Sequence, residues 1–457
     1  MNVKKIGAIL GLALVCLCSA NVRAETFYAY LTGAQEVPAT ATPATGYARV
    51  VVDENTLTYS FTVVFSGLTS TQTASHIHAP AAIGATSGVA INFGSVGGTS
   101  GTITGSGSIT ATQLGQIRQH LGYVNVHSSN FPGGEIRGQL GIKRPVDFDG
   151  DGRQDFSVLR FPASAPQAIT YWNLNSTAGP QASGPWGDAA TDFPTPGDFD
   201  GDGKDDLAIY RAGATAGAQS SFWILQSATS TVQYFAWGLN GDNAVARDYD
   251  GDGKTDIGVF RRGASAGAQA VWYIRQSSNG ATRIVNFGTT GGTASDIDVP
   301  VPGDYDGDGK FDIAVYRAGA LTPSNSFIVL QSSDSSYIYR QFGNFNSDYV
   351  VPGDYDGDGK YDFAVARTGG TSSSPMVWWI LQSSNGTTRN QQFGISSDVP
   401  VQGDYDGDAR ADIAIYRQGA TTGAVSNFWV FNSLSNTASS TQWGIRGDFA
   451  TASFDAR

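Results

Sequence analysis

The sequence predicts an all-β protein, an N-terminal β-sandwich followed by a six-bladed β-propeller with aspartate-rich loops. Three observations predict it. A unit of about fifty residues recurs six times over the last two thirds of the chain, a period at which propellers are found. The stretch before it, residues 25–142, carries strand-length apolar runs but no copy of that unit. Throughout, 58 glycines and 11% aromatic residues accompany many Thr and Ser, the composition of strands joined by frequent turns.

The first 24 residues read as a cleaved export signal. Lys4 and Lys5 form a basic start, residues 6–18 are apolar but too short to span a bilayer, and Val22-Arg23-Ala24 offers small residues for cleavage near Ala24. Both cysteines, Cys16 and Cys18, lie in that apolar run. The mature chain therefore excludes disulfides, thiolate metal sites and cysteine nucleophiles. Cleavage removes three basic residues and leaves 25 against 40 acidic ones, a net charge of −15. That charge argues against nucleic acid and anionic membrane surfaces as partners. No later segment is apolar enough to span a membrane. The expected location is outside the cytoplasm: secreted, periplasmic or on the cell surface.

Residues 25–142 read as a β-sandwich. Runs 47–53 and 57–65 alternate apolar and polar positions and form a hairpin around Asp53-Glu54-Asn55. Further strands are expected at 75–78, 88–93, 101–109, 123–127 and 135–140, with one helix at 112–121 that keeps Leu114, Ile117 and Leu121 on one face. All four histidines of the protein lie here. His76 and His78 are two apart on one strand, so their rings share a face, and His127 lies on another strand. Imidazole suits copper and zinc, which makes His76, His78 and His127 a candidate site for Cu²⁺ or Zn²⁺. The simpler reading is that these rings hydrogen-bond within the sheet. His120, at the end of the helix, reads as a surface residue.

Each repeated unit of residues 143–457 opens on an aspartate loop. The aspartates are Asp147, Asp149, Asp151 and Asp155; Asp198, Asp200, Asp202 and Asp206; Asp248, Asp250, Asp252 and Asp256; Asp304, Asp306, Asp308 and Asp312; Asp354, Asp356, Asp358 and Asp362; and Asp404, Asp406, Asp408 and Asp412. The spacings between first aspartates are 51, 50, 56, 50 and 50 residues. An arginine follows each first aspartate by 13 residues (Arg160, Arg211, Arg261, Arg317, Arg367, Arg417), and an aromatic-glycine pair closes each unit. Strand-like runs and turns between these marks give about four short strands per unit, which is a propeller blade.

The ends of the array imply a closed ring. Units two to six carry an aspartate six residues before the loop, whereas unit one has Gly141 there. Asp448 follows Trp443-Gly444 in the same setting, so the C-terminus is expected to supply the opening strand of blade one. Recurrence of the arginine and the leading aspartate in every unit suggests inter-blade ion pairs. Asp448 also completes an Arg446-Gly447-Asp448 tripeptide, whose aspartate the repeat itself accounts for. The recurrent tryptophans read as core.

Loop positions 1, 3, 5 and 9 are aspartate in all six copies, and glycines at positions 4 and 6 allow the tight turn that makes carboxylates converge. An all-oxygen set of this kind suits Ca²⁺ rather than Mg²⁺. The spacing overlaps that of an EF-hand loop, but position 12 is never glutamate and the flanks are strands. Acidic turns without an ion would repel themselves: the loops hold 24 of the 40 acidic residues, and six Ca²⁺ would bring −15 to −3. Ala409 replaces glycine in the sixth loop, which should be the weakest.

The Asp-x-Asp-Gly-Asp-Gly-x-x-Asp unit resembles the FG-GAP/VCBS propeller repeat, also found in integrin α-chains and in many bacterial surface proteins. That resemblance spans residues 143–457 and implies a calcium-stabilised scaffold that presents loops to a partner. Ala74-Ser-His76-Ile-His78, Tyr123-Val-Asn-Val-His127 and the run Phe131 to Leu140 resemble the CHRD domain, named from chordin, and imply an extracellular module. Together they favour an exported, calcium-binding, non-enzymatic binding or adhesion protein with an extracellular protein or glycan partner. The propeller lacks His and Cys, and no unrepeated carboxylate pair stands out for catalysis. The alternative is a metalloenzyme or redox protein that uses the histidines.

Overall fold

The computed structural model describes residues 24–454, apart from 54, 119, 143–145, 163–167, 177–178, 291–297, 318–324 and 345–347. The expected signal segment, Ala24 excepted, lies outside the described residues. The architecture is all-β, with an N-terminal curled sheet and a six-bladed propeller.

The N-terminal domain comprises β1 (Ala24–Thr32), β2 (Thr45–Asp53), β3 (Thr58–Ser66), β4 (Gln72–His78), β5 (Val89–Asn92), β6 (Gly101–Ser108), α1 (Ala111–Arg118), β7 (Tyr123–Ser128), β8 (Ile136–Gln139) and β9 (Gly141–Ile142). The strands form one sheet in the order β5-β4-β7-β8-β1-β2-β3-β6, with β9 also paired to β1. The two layers of the expected sandwich are thus two halves of one hydrogen-bonded sheet. It curls because both halves bury an alternating apolar face in the same core. Ala48, Val50 and Val52 of β2 stand opposite Val63, Phe61 and Tyr59 of β3, and these pack with Ile77, Val126 and Ile136 from the other half. Helix α1 covers the core with Leu114 and Ile117. A reciprocal cap starts it: Thr110 Oγ1 accepts the Gln113 N–H and Gln113 Oε1 accepts the Thr110 N–H.

Strand β1 has no counterpart among the strands expected from sequence. Phe27, Ala29 and Leu31 face the core, yet Tyr28 and Tyr30 on the opposite face are buried as well. The propeller covers them.

Each blade is a four-stranded antiparallel sheet. Blade two, for example, runs Asp192–Pro194, Leu207–Arg211, Gln219–Leu225 and Val232–Leu239. Blade one takes Phe156–Arg160, Ala168–Asn175 and Gly179–Asp188 and completes its sheet with Phe449–Ala450 from the C-terminus. The register there is Val158 opposite Ala450 and Leu159 opposite Phe449. Fully buried rings such as Trp272 and Trp378 fill the blade interiors.

The recurrent ion pairs lie within blades, which corrects the expectation of inter-blade pairs. Asp192 stands directly opposite Arg211 in the same sheet, and two guanidinium nitrogens, Nε and Nη2, donate to the carboxylate at 2.7 Å. The same fork joins Arg261 to Asp242, Arg317 to Asp298, Arg367 to Asp348, Arg417 to Asp398 and Arg160 to Asp448. The aspartate links blades in another way, because its second role is to accept a backbone N–H from the end of the preceding repeat: Leu239 for Asp242, Thr289 for Asp298 and Ile445 for Asp448. Aromatic residues add side-chain links, since the Trp237 and Trp443 indoles donate to the carbonyls of Tyr273 and Trp172 in the next blade. The tryptophans at the repeat's arginine-facing positions are only partly core: Trp172 and Trp379 pack against blade cores from half-buried sites, and arginines lie over Trp172, Trp223, Trp379 and Trp429.

Candidate metal centres

Six loops of one construction surround the propeller axis. In each, the first aspartate clamps the turn: its Oδ1 accepts the N–H of position 4 and its Oδ2 the N–H of position 6, as with Asp147 and Gly150 and Gly152. The clamp requires a left-handed backbone at both positions. Gly152, Gly203, Gly253, Gly309 and Gly359 sit at φ between 82° and 96°, and Ala409 is forced to 68°, a region that L-residues with a Cβ disfavour.

The clamp brings carboxylates together. One oxygen from each of positions 1, 3 and 9 lies within 4.8 Å of the others in the first three loops, and positions 1, 3 and 5 do so in the fourth. In the first three loops the position-5 aspartate stands outside that triplet, on the backbone N–H of position 7, as Asp252 does with Lys254. Electrostatics follow the geometry. Burial first, and then the facing carboxylate at position 3, push the position-9 aspartates up, to about 7 at Asp155, Asp206 and Asp312 and about 8 at Asp256 and Asp362. Asp412 is raised in the same way. Buried oxygens of Asp250 and Asp356 have no hydrogen-bond donor. Converging carboxylates driven toward protonation, with acceptor oxygens still unmet, fit a hard cation.

A serine that sequence reasoning missed supports each site. Ser176, Ser227, Ser277, Ser332, Ser383 and Ser433 donate their backbone N–H to the position-9 aspartate at 2.6–2.8 Å. In five loops the same serine's hydroxyl donates to the position-5 aspartate, for example Ser277 to Asp252 at 2.8 Å. The signal was present, since a serine follows every first aspartate by 28 or 29 residues. These donors orient the carboxylates, as hydrogen bonds to the ligands do in metal sites.

The loops are joined in a cycle. The N–H of position 8 in each loop donates to the carbonyl of the first aspartate in the preceding loop: Asp205 to Asp147, Thr255 to Asp198, Phe311 to Asp248, Tyr361 to Asp304, Ala411 to Asp354 and Gln154 to Asp404, all at 2.6–2.8 Å. The last of these closes the ring from loop one back to loop six.

The N-terminal domain rests on this ring. Arg49 donates to the Gly201 carbonyl at 3.0 Å and Gln35 to that of Gly407 at 3.2 Å. Arg153 of the first loop lies 4.0 Å from the Tyr30 ring centre. His120, expected at the surface, is buried and places Nδ1 3.2 Å from Asp354 of the fifth loop. The helix ends before it, and a φ of 53° turns its ring down onto the propeller. Arg446 binds the Gly419 and Ala420 carbonyls and Asp448 is buried against Arg160, so the tripeptide is part of the frame.

His76, His78 and His127 lie together on the outer face of the curled sheet, one ring nitrogen of each within 4.8 Å of the others. The structure therefore groups the three predicted histidines and leaves His120 apart.

Comparisons with known proteins agree with the two-part organisation. Residues 27–140 match the CHRD domain. Residues 147–209, 248–315 and 354–415 match the FG-GAP-like repeat. The chain thus carries a CHRD domain followed by FG-GAP-like repeats. Among solved structures it is similar to a mutant of AofleA from Arthrobotrys oligospora, at 12% identity and a TM-score of 0.40 over 66% of this chain and 96% of that one. It is also similar to a rhamnogalacturonan lyase from Bacillus licheniformis, at 12% identity and a TM-score of 0.33 over 84% of this chain and 67% of that one. No curated protein matches. Among the described residues, no helix is long and apolar enough to cross a membrane.

Proposed function

We propose that this chain is an exported, non-enzymatic binding protein whose propeller is held rigid by six Ca²⁺ and serves an extracellular protein or glycan partner. The observation that carries the reading is the closed ring of six loops, each aiming buried carboxylates at one another with serine donors behind them. Calcium would remove that repulsion and lock the loops that lead into the arginine-bearing strand of every blade. A scaffold fixed in this way suits recognition, because little freedom remains to be lost when a partner docks.

Metal analysis of the untagged chain dialysed against millimolar calcium should find close to six Ca²⁺. Each site raises stability by about 2.7 kcal/mol at 100 times its Kd. The sixth loop, strained at Ala409, should release its ion first. Two or fewer ions per chain would overturn the calcium reading. Glycan-array and surface-protein capture, each with calcium and with chelator, tests the binding role. Turnover of a substrate with no ligand retained would oppose it.

A further inference from the structure

The histidine cluster is built as a ligand set. His76 and His78 project from β4 to the face away from the core, since Ile77 between them is a core residue. On β7, Tyr123 stands opposite His78, Asn125 opposite His76 and His127 opposite Ala74. His127 is therefore the diagonal neighbour of His76 on the same face, a separation that long side chains bridge.

Backbone carbonyls fix two of the rings. His78 Nδ1 lies 2.9 Å from the Ser87 carbonyl and His127 Nδ1 lies 2.9 Å from the Pro132 carbonyl. A carbonyl can only accept, so both Nδ1 atoms carry the proton and both Nε2 atoms present a bare lone pair. His127 Nε2 faces His76 Nδ1 at 3.0 Å. His78 is 8% exposed, and its buried Nε2 has no hydrogen-bond partner. Its ring plane is held by Tyr123, stacked at 4.8 Å and 4°, with Arg137 on the far side of that tyrosine. A purely structural role leaves a buried acceptor without a donor.

We propose that His76, His78 and His127 bind one borderline transition-metal dication, copper or zinc, with a further position open to water beside half-buried His76. His78 and His127 supply Nε2, and His76 supplies Nδ1 by moving its proton to the solvent-side nitrogen. Two imidazoles at about 2.0–2.1 Å from a tetrahedral ion stand about 3.3 Å apart, close to the 3.0 Å seen between His76 and His127. The carbonyl contacts of Ser87 and Pro132 are the outer-shell acceptors that such sites use to set the tautomer. The absence of carboxylates from the set and the nearby Arg137 disfavour Ca²⁺ and Mg²⁺.

The test is a titration of the full-length, untagged, calcium-saturated chain with Cu²⁺ and with Zn²⁺ by calorimetry, and paramagnetic resonance of the Cu²⁺ form. One equivalent should bind with a Kd below about 10 μM, and the Cu²⁺ spectrum should show nitrogen superhyperfine splitting. Loss of an outer-shell partner weakens such sites about 10–100-fold, and loss of a ligand in His76→Ala or His127→Ala should exceed that. His76 is half-buried, so His76→Ala should keep its fold and its calcium content. Weaker binding, an oxygen-only copper spectrum, or affinity unchanged in His76→Ala would overturn the site. The wild-type spectrum decides the matter even if His127→Ala fails to fold.

Discussion

Deleting the chain beyond Gly444 removes the strand that closes the propeller, and the structure sets the size of the effect. The deletion takes away the Asp448 carboxylate, held by Arg160 through two contacts of 2.8 Å. It also removes the pairing of Phe449 and Ala450 with Leu159 and Val158, the Thr451 hydroxyl at 2.6 Å from Ser157, and Ala450 and Ala452 from the core. A hydrogen-bonded charge contributes about 1.5–3 kcal/mol and each neutral hydrogen bond about 1 kcal/mol. With the lost alanine burial at about 0.8 kcal/mol per methyl-sized group, the sum is about 5–8 kcal/mol. That is comparable with the whole stability of a domain, about 5–15 kcal/mol. The calcium-saturated truncated chain should therefore melt far lower, or aggregate through the bared edge of blade one. Asp448→Asn keeps the strand and loses only the ionic fork, so it should cost about 1.5–3 kcal/mol, as should Asp242→Asn inside the array. Scanning calorimetry and urea unfolding of the three variants separate closure from the ion pair. A truncated chain that melts within about 2 °C of the full-length one, a shift of under about 1 kcal/mol, would refute closure by the C-terminal strand.

Two further outcomes follow from the loops. In chelator, stability should fall as pH rises from about 4 to 8. The position-9 aspartates are held near 7 to 8 in the fold, so between the unfolded value near 3.8 and those values the folded chain holds more protons and is favoured below that window. Excess calcium should abolish this fall, and melting curves at pH 5, 6, 7 and 8 that show the same slope with and without calcium would contradict it. Ser277→Ala should weaken calcium at the third loop about 10-fold, as loss of an outer-shell partner does, and leave the other five unchanged. A calcium titration with six undiminished sites would remove the serines from the metal shell.

The propeller was legible because its information is local and repeated. A clamp of one aspartate and two glycines fits in six residues, and six copies fix the blade number and the phase of every strand. The missing leader before Asp147 and the surplus one at Asp448 even gave the closing strand. The supporting serine was equally regular but lay 28 or 29 residues from its aspartate, across two strands and a turn, where no short motif would include it. The ion pairs were recognised as residues and misplaced in space. A separation of 19 residues between Asp192 and Arg211 spans the whole aspartate loop between two neighbouring strands, and only the sheet register shows that it returns the pair to one blade.

What sequence concealed is where the two domains meet. A strand covered on one face announces itself by alternation, but β1 is covered on both, by its own core through Phe27 and Leu31 and by the loop ring through Tyr28 and Tyr30. Its signature is the continuous apolar run Phe27-Tyr-Ala-Tyr-Leu31, which reads as no face at all. The same ambiguity misassigned His120, whose polar ring is buried only because Asp354 comes from the other domain. The consequence reaches function. The glycine carbonyls of loops two and six that Arg49 and Gln35 hold belong to turns shaped by the aspartate clamps. Any ion that stiffens those clamps also stiffens the seat of the N-terminal domain, while the central part of the loop face is already occupied by that domain. A partner of the kind proposed would therefore reach the propeller at its rim or its opposite face, whereas the histidine cluster lies beside the Pro132 turn.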